Sequence, residues 1–485
     1  MKYDAVILTH LSVAPMTKTL GPYRVADSLR RMGLLVQVVG ATNTFSEAEL
    51  QQVLLSFIDE NTKIIGISTT FFQLVDVKNI HKYFPESVPE FILKVLAEIK
   101  RLYPQIKIIC GGSFSHLQIG NDLFDAVFHG YSDNAIQEYA RSLTGGKKHL
   151  WKTHLNTKII EGEAYPVDME ELRHQWQDND IIFPGETLPI EIGRGCIFKC
   201  KFCNFQLTGK KKLDYLRNYD HLREEFLQNY EKYGVTNYSF SDDTFNDSTY
   251  KLEKIFQITS NLPFKINFTS YLRLDLLYAH REQIELLKEI GLRSAYFGIE
   301  SFNPRSAKII GKGLASDKVK DFLLDLSENH FNKDRNFVCS FIVGLPYETI
   351  AQVEESFKWC QEHDINSVWS PLFIRPDARY KSDIDIYYEK YGYKINDDSY
   401  EWTNENTTRS ECFGMAARFN SERNNTLHTW PLFDGASLKI GSWDEMMKMR
   451  MNDLMVNPEI YSKINQRIHQ YKEKLKELGE RHEGN

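Results

Sequence analysis

Three cysteines lie in one short loop, Gly195-Cys196-Ile197-Phe198-Lys199-Cys200-Lys201-Phe202-Cys203-Asn204, a C-x3-C-x2-C pattern. Thiolates are the usual protein ligands of iron–sulfur clusters, and a cubane [4Fe–4S] cluster normally takes four of them. Three close ligands leave one iron without a protein partner. An open coordination position is what a catalytic metal needs, whereas a structural site closes all of its positions. A zinc knuckle is the plainer alternative. Zinc favours paired C-x2–4-C motifs that supply four ligands, and no second pair occurs here.

The loop needs rigid elements to hold it. It follows a strand-like run, Leu188-Pro189-Ile190-Glu191-Ile192-Gly193, and precedes a helical stretch at Leu222–Tyr233. From about 187 to 373 the pattern repeats strand then helix. Strands are predicted over Leu188–Gly193, Asn237–Ser241, Lys265–Tyr271, Ser294–Ile299, Asn336–Val343 and Ser367–Phe373. In barrels of such units the chemistry lies on the loops after the strands, where the three cysteines fall. Polar groups stand at the other strand ends. Ser241-Asp242-Asp243-Thr244-Phe245 can accept hydrogen bonds from an ammonium group, and Arg273 can grip a carboxylate. A helix N-cap at Asp247 or Ser248 and an ion pair between Arg273 and Asp275 are the plainer readings of these runs. Gly298-Ile299-Glu300-Ser301 and Gly344-Leu345-Pro346-Tyr347-Glu348-Thr349 end two further strands.

Residues 1–145 also alternate strand and helix. Ala5–Leu8, Leu35–Val39, Ile64–Ser68, Ile106–Cys110 and Asp125–Phe128 are the expected strands. Apolar strands with helices between them imply a parallel sheet covered on both faces, and open sheets of this kind bind ligands at the carboxyl ends of their strands. Residues 146–186 read as a polar linker with Gly145, Gly146, Pro166, Pro184 and Gly185 as breakers. Residues 374–485 are a mostly helical region suited to capping a substrate. The part to 457 is aromatic and shows no clear period; the stretch from Pro458 is an amphipathic helix expected to pack on the body of the protein.

These motifs, in this order, resemble the radical S-adenosylmethionine (radical SAM) superfamily, in the subclass with an upstream cobalamin-binding domain. The resemblance implies an α/β protein, with an N-terminal Rossmann-like cobalamin domain, a partial (β/α)6 barrel and a helical C-terminal region. It makes Cys196, Cys200 and Cys203 the cluster ligands, with S-adenosylmethionine (SAM) chelating the open iron and cleaved to a 5′-deoxyadenosyl radical. It places Phe202 and Gly344 near adenine, Ser241 and Asp242 at the SAM amino group, Arg273 at its carboxylate and Glu300 at the ribose hydroxyls or the methionine end. For cobalamin it points to Thr69, Thr70, Gly111, Gly112, Ser113 and Gly130. No D-x-H-x-x-G motif occurs, so no histidine is assigned to cobalt. Methylation of an unactivated carbon is the activity this implies. Cyclisation, oxidation or rearrangement without methyl transfer is the alternative, with the N-terminal domain then a scaffold. Flavodoxin or ferredoxin is the implied electron donor.

Composition bounds the rest. The chain has 485 residues, 42% apolar and 26% charged, the balance of an ordinary globular protein. A net charge of −7 and a pI near 6.1 give no electrostatic case for nucleic acid. The short basic runs Lys147-Lys148 and Lys210-Lys211-Lys212 read as solvated loops. No run of about 18 apolar residues suggests a membrane span. Seven cysteines in so long a chain do not suggest a disulfide scaffold, and the reducing cytoplasm is expected. Only Cys110 lies in the N-terminal domain and only Cys412 follows the barrel, so one cluster is expected. The substrate is not legible; a small molecule or peptide is favoured.

Overall fold

The computed structural model describes residues 2–10, 17–70, 88–113, 115–145, 151–205, 207–210, 215–331, 334–376, 378–396 and 401–481. Lys147, Lys148, Lys211 and Lys212 lie outside these residues. The chain forms two compact units. One comprises Met1–Pro189, Gln228–Gly234 and Glu459–Asn485; the other Ile190–Leu227 and Val235–Pro458.

The first unit begins β1 (Ala5–Thr9), α1 (Leu20–Arg30), β2 (Val36–Val39), α2 (Glu47–Phe57), β3 (Ile64–Ser68), α3 (Glu90–Leu102), β4 (Lys107–Gly111), β5 (Ala126–His129) and α4 (Asp133–Leu143). The strands of β1 to β3 are apolar runs buried along almost their whole length, the mark of a parallel sheet covered on both faces. The expected linker also joins this sheet. Residues 152–161 form the hairpin β6 (Lys152–His154) and β7 (Thr157–Glu161), and β7 pairs parallel with β5. The full order is β2-β1-β3-β4-β5-β7-β6. All of β6 is exposed, so the hydrophobic pattern carried no sign of it.

The chain continues with β8 (Thr187–Glu191), α5 (Tyr219–Tyr233), β9 (Asn237–Ser241), α6 (Thr249–Ser260), β10 (Asn267–Leu272), α7 (Leu274–Ala279), α8 (Glu282–Ile290) and β11 (Leu292–Glu300). It continues with α9 (Pro304–Ile310), α10 (Ser316–Asp325), β12 (Asn336–Val343), α11 (Ile350–Glu362) and β13 (Ser367–Pro371). The six strands form one sheet in sequential order, β13 to β8, parallel in every pair described, the expected partial (β/α)6 barrel. One face packs aromatic rings in the core: Phe240 stacks on Phe268 at 4.1 Å and Phe341 on Trp369 at 4.3 Å.

The stretch without a clear period folds as α12 (Asp383–Ile386), the hairpin β14 (Lys394–Asn396) and β15 (Glu401–Thr403), α13 (Arg409–Glu422), α14 (Thr429–Ser437), α15 (Trp443–Lys448) and α16 (Met451–Val456). Most of these helices are too short to display a 3.6-residue period. Their visible signal is the capping box, present at Ser382/Asp385, Thr408/Glu411 and Ser442/Glu445.

The last helix, α17 (Pro458–Arg481), was grouped by sequence with this helical region, yet almost all of it belongs to the first unit. Tyr471 and Leu475 enter the same core as Leu8, Val39 and Phe57. The Gly40 amide donates to the Tyr471 hydroxyl at 2.7 Å.

Candidate functional site

The cysteine loop owes its path to Gly195, which sits at φ +104°. A Cβ there would fall 2.5 Å from the Leu207 carbonyl oxygen, so only glycine fits. Backbone bonds fix the rest: Cys196 N–H to Leu207 O, Cys203 N–H to Cys200 O, and Lys201 N–H to Ile310 O at the end of α9. The three loop thiols are partly accessible, whereas Cys110, Cys339, Cys360 and Cys412 are buried. Cys196 Sγ lies 3.2 Å from Thr244 Oγ1 and accepts from the Phe198 amide at 3.4 Å. Arg273 Nη1 donates to Cys200 Sγ at 3.4 Å.

Burial pushes the Cys203 thiol up to about 11 and raises that of Cys196, so without metal both are protonated at neutral pH. Metal binding would displace those protons. Among the described residues no three His, Cys, Asp or Glu side chains close on a single metal ion. A cubane has its irons at separate corners and spreads its ligands wider than one ion does. Accessible thiols on one pinned loop, two of them already meeting polar partners, fit a cluster whose properties depend on hydrogen bonds to sulfur.

The surrounding strand ends refine the expected roles. Asp242 does not face the cysteines with a free carboxylate. It is buried, caps the Thr244 amide at 2.9 Å and pairs with Lys251 at 3.1 Å. Its neighbour Asp243 is half-buried and makes no ion pair among the described residues. Desolvation, then the charges of Asp242 and Glu191, raise its carboxyl to about 6. Ser241 is half-buried at the end of β9.

Arg273 uses Nε and Nη2 on Asp275, at 2.9 and 2.6 Å, and lies over the Phe198 ring at 3.8 Å. A two-pronged grip on a ligand carboxylate is therefore unavailable, and only Nη1 points to the cysteines. Glu300 is buried at φ +70° and pairs with Lys312 at 3.2 Å; Lys312 also donates to the Gly298 carbonyl and lies 5.8 Å from the Phe202 ring. Gly344 is enclosed by the capping region. At φ +94°, its Cβ would meet Trp402 at 2.5 Å and Cys412 at 2.7 Å. Asp243 and Thr244 were inside a motif already noted in the sequence; Lys251 and Lys312 had no sequence signal.

In the first unit the glycine-rich strand ends lie side by side. Thr69 N–H and Oγ1 both donate to the Gly111 carbonyl, and Ser113 N–H donates to Thr70 Oγ1. Gly112, at φ +101°, admits this packing: a Cβ would lie 2.6 Å from Thr70 Oγ1. Gly112 and Ser113 are exposed, and Gly130 is half-buried at φ +78°. Among the described residues, Thr69, Thr70, Gly111, Gly112, Ser113 and Gly130 at this edge carry no charge. At the β1–β2 end α17 leaves a cavity of only ≈ 40 Å³, walled by His10, Lys18, Tyr23 and Tyr471, with Lys18 paired to Glu186 at 2.8 Å. That holds a few waters.

Residues 190–360 match the Radical SAM superfamily. The chain carries a radical SAM domain. An uncharacterized methyltransferase of Pyrococcus horikoshii is 29% identical over 174 residues, 36% of this chain and 36% of that protein. The match thus spans about a third of that curated relative. Among solved structures, the radical SAM methyltransferase TsrM of Kitasatospora setae, with tryptophan substrate and a SAM analogue, has a TM-score of 0.59. It is 16% identical, over 80% of this chain and 77% of that one. The cobalamin-dependent radical SAM enzyme OxsB, with aqua-cobalamin bound, has a TM-score of 0.54 at 16% identity, over 86% of this chain and 56% of that one. The fold of this chain is similar to the one those enzymes share. Among the described residues no helix is long and apolar enough to cross a membrane.

Proposed function

We propose that this radical SAM protein is a cobalamin-dependent methyltransferase acting on an unactivated carbon of a small molecule. The observation that carries the reading is the meeting of Cys196 with Thr244 and of Cys200 with Arg273, at the ends of consecutive strands of a matching domain. Support for the corrinoid comes from the strand ends at Thr70, Gly112, Ser113 and Gly130, of which Gly112 and Ser113 are exposed and none is charged, and from the fold shared with OxsB.

Cys196, Cys200 and Cys203 hold the cluster, which when bound supplies the electron that cleaves SAM. A corrinoid, when bound, supplies the methyl group. The chain's own work is orientation and exclusion of water. Asp243 and Ser241 accept from the SAM ammonium, since Asp242 is held by Lys251. Arg273 gives one N–H beside Cys200, and Glu300 with Lys312 forms a neutralised pair at the sugar. Thr69, Thr70 and Gly111 to Ser113 form the corrinoid seat. A small flavoprotein or ferredoxin delivers electrons, in the reducing cytoplasm that an accessible cluster requires.

Purification with hydroxocobalamin, followed by a visible spectrum and a search for methylated product, tests this reading. Stoichiometric corrinoid and transfer of a labelled methyl group from SAM to carbon are expected. Deoxyadenosine formation with no corrinoid retained would remove methyl transfer and leave the N-terminal sheet a scaffold.

A further inference from the structure

The inner face of the barrel sheet has a distinct chemistry. Along β9 to β13 alternate residues point to opposite faces. Phe240, Phe268, Phe297, Cys339 and Trp369 are buried on one. On the other, Ser241, Tyr296, Ser340, Ile342 and Val368 stay partly accessible, and Tyr271 is 39% exposed although its strand is interior to the sheet. An accessible side chain at the centre of a sheet means that its face borders open space. None of these six residues is charged.

Three rings meet on that face. Tyr271 and Tyr296 are 4.8 Å apart at 64°, and Trp430 approaches them at 5.7 and 6.1 Å with tilts of 59° and 52°. None of the three pairs is stacked face to face, so ring faces remain for a further ring; edge-to-face and offset pairs are the favoured arrangements. The tryptophan is placed with care. Its Nε1 donates to Ser239 Oγ at 3.3 Å, and the preceding Thr429 is held at φ +42° by a 2.8 Å bond from its amide to Ser294 Oγ. A β-branched residue at positive φ is strained, and such strain persists where surrounding structure imposes it.

We infer that the Tyr271–Tyr296–Trp430 face binds a substrate that presents a planar aromatic or heteroaromatic ring. This rests on the reading of the barrel as a catalytic domain. The three rings themselves carry no charge, and the charges nearest to them are Asp243 by Tyr271 and Glu300 and Arg423 by Tyr296. A purely aliphatic chain would offer the Tyr271 and Ser241 hydroxyls no partner, which is costly once water is excluded. A flat ring with a polar edge satisfies both the ring faces and the hydroxyls.

The test is equilibrium binding by calorimetry on the full chain, without SAM or corrinoid, using indole as probe and cyclohexylmethanol as a non-planar control. Indole should bind at least tenfold more tightly than the control. Tyr271→Leu and Trp430→Leu should each weaken indole by about fivefold to tenfold, the scale of one aromatic pair, while Tyr271→Phe retains binding. Equal binding of the two probes, or indole binding unchanged in the folded leucine variants, would overturn the inference. Because neither probe needs the cluster, this outcome is independent of deoxyadenosine formation. Ring selectivity without SAM cleavage would refute the catalytic reading alone.

Discussion

Arg273 donates from Nη1 to Cys200 Sγ at 3.4 Å, while its Nε and Nη2 are held by the two carboxylate oxygens of Asp275. The guanidinium lies on the Phe198 ring, so its plane is fixed before any ligand arrives. A cationic donor at a cluster sulfur stabilises the reduced, more negative state. Arg273→Met should therefore move the midpoint potential of the reconstituted cluster to more negative values. Asp275→Asn, which removes a negative charge beside the same guanidinium, should move it to less negative values. A redox titration followed by electron paramagnetic resonance checks both; an unchanged potential in Arg273→Met would remove the contact from the account.

Asp242 and Asp243 are adjacent but have opposite duties. Lys251 is buried between Asp242 and Asp247, at 3.1 and 2.7 Å. Removing one partner of such a group costs about 3–5 kcal/mol. Lys251→Met should therefore lower stability by that order in urea unfolding. Asp243→Asn should raise stability at neutral pH, since burial and the charges of Asp242 and Glu191 oppose its ionisation, and weaken SAM by about tenfold, the scale of one charge-assisted hydrogen bond. Equilibrium dialysis with labelled SAM separates the two.

Two glycines, Gly344 facing the capping region from the end of β12 and Gly414 within that region, predict opposite outcomes. Gly344→Ala places a methyl group on Trp402 and Cys412 at positive φ and should destabilise by about 2 kcal/mol or more. Gly414, inside α13, has nothing within 4 Å of a new Cβ. Gly414→Ala should stabilise by about 0.5–1 kcal/mol. Thermal unfolding of both variants gives the comparison.

Glu348 gives the second unit a pH dependence. Burial raises its carboxyl to about 8, against a lowering by the Ser301 hydroxyl that donates to it at 2.5 Å. The folded state therefore keeps a proton that the unfolded chain loses near the ordinary glutamate value. This contribution is whole below about 4.5 and is lost as pH rises through about 8. Urea unfolding between these limits should show stability falling with pH from this group, and Glu348→Gln should flatten that slope.

Leu475 is fully buried in the core of the first unit, more than 400 residues from the strands it covers. Leu475→Ala should cost about 2–5 kcal/mol and lower the unfolding midpoint of that unit. An unchanged midpoint would mean that α17 is not part of its core.

Much of this was legible because the signals were local. Apolar runs such as Ala5–Thr9 and Ile64–Ser68 are buried strands wherever they occur, and the C-x3-C-x2-C spacing places three thiols on one loop without reference to the rest of the chain. Partners chosen by the fold were not legible. Nothing in the run Ser241 to Phe245 tells that Lys251, in the first turn of α6, takes Asp242 and leaves Asp243. Nor does spacing reveal that Asp275 occupies the fork of Arg273, or that Lys312 comes back to Glu300. The hairpin of β6 and β7 was hidden for another reason: β6 is exposed and carries no hydrophobic alternation.

The most direct test of the central claim compares the reconstituted wild-type chain with a Cys196→Ala/Cys200→Ala/Cys203→Ala variant, prepared without oxygen. Iron content and deoxyadenosine formed from SAM with a chemical reductant are measured in parallel. The wild type should hold about four irons per chain, as one cubane requires, and release deoxyadenosine, and the folded variant should do neither. Equal iron and equal SAM cleavage in the two proteins would contradict the assignment of these cysteines and the chemistry built on them.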